Sequence, residues 1–64
     1  MLKPGYVLQT PADFAHALWH GLPVEVWQNG ELIDYGGPIE KLSKIAVKIN
    51  DSWYLREFCE FRVR

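Results

Sequence analysis

His16 and His20 stand four residues apart, the spacing at which two imidazoles project from one helix face and share a metal ion. The residues between them are Ala17, Leu18 and Trp19, so no glutamate base accompanies the pair, and no third ligand is placed nearby. No metal or other cofactor is expected. Glu25 and Asp34 fall opposite each other if the intervening segment is a hairpin, and mutual repulsion raises one pKa in such a pair. An exposed hairpin face offers no substrate-shaped site around them. Cys59 has no neighbouring His or Asn to activate it and lies between Phe58 and Phe61, which reads as a small buried apolar residue. Gly36-Gly37-Pro38 does not lead into a helix, so it lacks the amide cradle of a phosphate loop. These patterns together argue against an enzyme.

Aromatic and basic side chains that interleave carry more. Trp53, Tyr54 and Phe58 lie near Lys48, Arg56 and Arg62 in sequence, a mixture suited to base stacking with phosphate contacts or to a groove for an extended peptide. Trp53 is expected to fill the core and Tyr54 and Arg56 to face outward. Charge is uneven: residues 1–40 hold one Lys against five carboxylates, whereas residues 41–64 hold six Lys and Arg against three. The net charge of −1 lacks the basic balance typical of nucleic-acid binders, so nucleic acid is possible as a ligand but not favoured. Lys44, Arg56 and Arg62 are the residues through which it would act.

The elements that must position these groups are well signalled. Thr10 suits an N-cap, Pro11 the first helical position, and Asp13 the capping-box position three residues on. Phe14, Ala17 and Leu18 form one apolar stripe, and Gly21 and Pro23 stop the helix, which is expected over about residues 11–20. Residues 6–8 read as a short strand or extended arm. Residues 24–28 alternate and meet Asn29-Gly30, a strong two-residue hairpin signal. An unbroken register from that turn pairs Trp27 with Leu32 and Val24 with Tyr35. It assigns Val24, Val26, Ile33 and Tyr35 to the core, and Trp27 with Leu32 to an outer apolar patch. Gly36-Gly37-Pro38 bends the second strand. Residues 45–49 alternate again, Asn50-Asp51 turns, residues 53–56 form a fourth strand, a break falls near 57–59, and residues 61–63 close the sheet. Short strands with a mid-strand kink predict a mainly β fold: a small five-stranded SH3-like barrel preceded by one short helix.

Sixty-four residues, 48% hydrophobic and 14% aromatic, make one small domain, too apolar for a disordered chain. No apolar run approaches the ~20 residues of a membrane span, residues 1–10 lack a signal-peptide core, and one lone cysteine fits a reducing cytoplasm.

The order of a helix, Pro23-Val24-Glu25-Val26, Asn29-Gly30, Gly37-Pro38-Ile39-Glu40-Lys41-Leu42 and the alternating residues 45–49 resembles the Sm-like (Hfq-type) family. The likeness spans roughly residues 8–64, with two extra residues before Gly37 and Ser43 where that family usually has an Asp. Residues 53–63 are also similar to the last segment of small bacterial SH3-like proteins. The Sm-like resemblance implies ring assembly through the last two strands and single-stranded RNA binding, with Tyr54 and Arg56 at the pore. The residue patterns themselves imply a non-enzymatic binding module that uses a barrel face or strand edge to contact a protein partner or another copy. Trp27, Leu32, Tyr54, Arg56, Lys44 and Arg62 are the candidate contacts.

Overall fold

The computed structural model describes residues 2–64. An extended arm leads into helix α1 (Pro11–Trp19), followed by six strands: β1 (Pro23–Gln28), β2 (Glu31–Pro38), β3 (Lys41–Leu42), β4 (Ala46–Ile49), β5 (Ser52–Leu55) and β6 (Glu60–Val63). They form two three-stranded antiparallel sheets, ordered β2-β1-β6 and β3-β4-β5. The expected mainly β fold with one helix is therefore present, but the ladder does not close into one five-stranded barrel. The chain leaves the first sheet at Ile39-Glu40, β3 is two residues long, and a turn at residues 56–58 separates β5 from β6. Among the described residues, no helix is long and apolar enough to cross a membrane.

The helix starts and ends where its chemistry dictates. Thr10 accepts a hydrogen bond from the Asp13 amide, and the Asp13 carboxylate accepts one from the Thr10 amide, which completes the capping box. The same carboxylate oxygen accepts from the Gln9 amide and the Tyr6 hydroxyl, so it also anchors the arm. At the other end Gly21 has φ +61°, the Leu22 amide donates to the Ala17 carbonyl and the Gly21 amide to the Leu18 carbonyl. That bond pair is the Schellman stop. The arm runs antiparallel beside β6: Gly5 and Leu8 donate to Val63 and Phe61, and Val63 donates back to Tyr6.

The Asn29-Gly30 turn has both φ angles positive and sets Gln28 against Glu31 and Trp27 against Leu32, as the sequence predicts. Two bulges then shift the register, so Val26 faces Asp34 and Val24 faces Gly37. The second bulge centres on Gly36, whose φ of +77° is stabilised by the Asp34 carboxylate accepting from its amide at 2.7 Å. These bulges overturn half of the expected hairpin core. Val24 and Val26 are fully buried, but Ile33 and Tyr35 are turned out to 45% and 60% exposure.

The core lies between the sheets. Val24, Val26, Phe61 and Val63 face Val47 and Ile49, and Leu8, Phe14, Ala17 and Ile39 fill the margins. The rings of Phe14 and Phe61 meet edge-on at 5.5 Å, which docks the helix on the sheet. Trp53 is not in the core: it is 52% exposed. The two-residue turn at Asn50-Asp51 pairs Ile49 with Ser52 and Val47 with Tyr54, so Tyr54 shares the inward face and Trp53 and Leu55 point out. Tyr54 packs against the core rather than facing solvent as expected.

Candidate functional site

Trp27 and Arg62 are neighbours on the outer face of the first sheet. β1 and β6 pair Glu25 with Arg62 and Trp27 with Glu60. The Arg62 guanidinium lies 4.2 Å from the Trp27 ring centre and pairs with Glu60 at 3.2 Å, while Trp27 Nε1 donates to Glu25 at 3.0 Å. Among the described residues, Arg62 Nε is the buried side-chain polar atom left without a hydrogen-bond partner. Trp27 is half-buried under Arg62, so the expected open patch with Leu32 reduces to Leu32, which is 43% exposed. The Glu25–Asp34 carboxylate pair does not exist either, because the bulges move Asp34 off that row.

Asp34 instead joins the two sheets. It accepts a short hydrogen bond from the Tyr54 hydroxyl and others from the Gly36 amide and Asn50 Nδ2. The Tyr54 hydroxyl, more than the other donors, holds the Asp34 carboxyl below its ordinary range, and Asp34 in return pushes the Tyr54 phenol up. Tyr54, half-buried, is thus tied to an internal contact.

Lys44 and Arg56 are brought together. They line a groove whose two lobes, about 320 and 650 Å³, share Phe14, Lys44 and Arg56. Arg56 sits 4.2 Å above the Phe14 ring centre and donates at 3.4 Å to the carbonyls of Ser43 and Lys44. Ser43 shapes the adjoining turn: its hydroxyl accepts from the amides of Ile45 and Ala46. Neither Lys44 nor Arg56 makes an ion pair among the described residues.

β5 supplies a different surface. It pairs only with β4, and its outward side chains Trp53 and Leu55 are 52% and 45% exposed, with Phe58 at 60% just beyond. Sequence reasoning missed this surface, although its signal was available. A two-residue loop at Asn50-Asp51 obliges Trp53 to face away from Val47 and Ile49.

His16 and His20 stack with ring centres 4.3 Å apart, and no group of three metal-ligating side chains lies together among the described residues. Cys59 is half-buried against the core, and burial pushes its thiol up, away from the reactive thiolate. Comparison with protein-family models, curated proteins and solved structures gives no match.

Proposed function

We propose that this chain is a non-enzymatic interaction module that associates with a second copy of itself by adding strand to strand at β5. One observation carries the reading: β5 is an edge strand, paired on one side only, with no charge, no proline and no bulge, and it carries exposed Trp53 and Leu55. The remaining edges are guarded in ways that discourage pairing. The arm covers β6, β2 carries two bulges and Pro38, and β3 is two residues long. In this reading the two sheets are an opened variant of the SH3-like barrel, working in a reducing cytoplasm without a cofactor.

Light scattering coupled to size exclusion, at two protein concentrations, tests it. A dimer mass is expected for the natural chain and a monomer mass for Leu55→Lys with its circular dichroism unchanged. A monomer at both concentrations removes self-pairing and leaves a protein partner's strand as the occupant of β5. The alternative, an Sm-like ring binding single-stranded RNA, draws on Lys44 and Arg56 lining one groove. It requires a mass well above a dimer and salt-dependent RNA binding that Lys44→Ala weakens.

A further inference from the structure

The larger lobe of the groove between α1 and the β3–β4 turn has an unusual lining. Pro11, Phe14 and Leu42 make its apolar walls, Ser43, Lys44 and Arg56 its polar rim, and no carboxylate lines it. In the smaller lobe Glu57 is the one acidic lining residue. Of the other cations in the second half, Lys48 is paired with Asp51 and Arg62 with Glu60, while Lys41 and Arg64 are exposed at the surface, Arg64 lying over Tyr35. Arg56 is half-buried, held over Phe14 with only two long bonds to carbonyls, and its charge is not neutralised. A half-buried guanidinium left in this state is a ready partner for a carboxylate, which it binds in a charge-assisted, planar geometry.

We propose that this lobe is a docking site for an extended acidic peptide segment of a partner protein, one apolar side chain settling against Pro11 and Leu42 and flanking carboxylates meeting Lys44 and Arg56. The complement of this lining is apolar to match the walls and anionic to match the cationic rim. Single-stranded RNA fits it less well. A base needs an open aromatic face to stack on, whereas Phe14 is 3% exposed and its ring is covered by Arg56. Two cations are also few for a phosphate backbone on a chain of net charge −1. The site uses neither Trp53 nor Leu55, so it stands whether or not β5 self-associates.

The test is fluorescence anisotropy with a capped, labelled peptide carrying one leucine between glutamate pairs, at low and at physiological salt, with the glutamine counterpart as control. Binding is expected for the acidic peptide, weakening with salt. Lys44 is exposed, so its variants keep the fold. Lys44→Gln is expected to weaken binding about 2–5-fold, the worth of one exposed ion pair, and Lys44→Glu by more. Amide shifts on titration should centre on Phe14, Leu42, Ser43 and Arg56. Equal binding of the glutamine peptide, unchanged affinity in Lys44→Glu, or shifts centred elsewhere would overturn the proposal. So would an oligouridylate that displaces the peptide and binds more tightly at the same salt.

Discussion

Gly36 is the residue with least freedom to change. A Cβ built there would sit 1.7 Å from the Val24 carbonyl oxygen, and its φ of +77° is one that side chains rarely adopt. Both obstacles are backbone, so neither relaxes by a rotamer change. Gly36→Ala is expected to cost at least about 3 kcal/mol in urea unfolding, or to abolish folding outright. Tyr54 is the second such residue. Its bond to Asp34 holds the carboxyl below its ordinary 3.8, so the stabilisation is complete above that value and fades as pH falls through the depressed one. The phenol is raised above its ordinary 10.0, so the same bond stabilises below that value and fades as pH rises through the elevated one. Tyr54→Phe should lose about 1–2 kcal/mol at neutral pH, as for a hydrogen bond to a charged group, and flatten the stability profile at both ends. Urea midpoints measured across pH check this, and an unchanged acid limb would show that Asp34 does not depend on Tyr54.

At the scale of elements, local chemistry explains where each piece begins and ends. Thr10→Ala removes the cap but leaves Asp13 tied to the arm through Gln9 and Tyr6, so a loss of about 1 kcal/mol by thermal unfolding is expected. The second hairpin holds an opportunity. Asp51 has φ +64° and its side chain contributes one exposed pair with Lys48, whereas its amide bond to Glu40 belongs to the backbone. Asp51→Gly therefore keeps the amide bond, relieves the left-handed strain and is expected to raise stability by roughly 0.5 kcal/mol, read as a higher urea midpoint. The helix, both hairpin turns and the break after β5 were readable because capping, positive-φ turns and glycine stops act over a few residues. The register beyond Trp27 was not, because a bulge depends on how Asp34 finds Gly36, Asn50 and Tyr54 across the sheets.

The whole molecule has little stability in reserve, since a chain of this size buries a small core. Phe61 is 1% exposed and takes the edge of Phe14, so Phe61→Ala removes the contact that docks the helix. A loss of about 3–5 kcal/mol is expected, enough to leave the chain largely unfolded at 25 °C by circular dichroism. Composition and pattern by themselves determined a mainly β fold, its helix, its turns and most of its core, because those follow from short-range periodicity. Which aromatics are spent on stability and which remain at the surface was decided by tertiary structure alone. Trp27 is half-buried beneath Arg62 and Tyr54 is bound to Asp34, while Trp53 and Leu55 stay exposed and Arg56 shares its groove with Lys44. Those outcomes rest on contacts between residues up to dozens apart in sequence, brought together by two bulges and by a chain that passes from one sheet to the other.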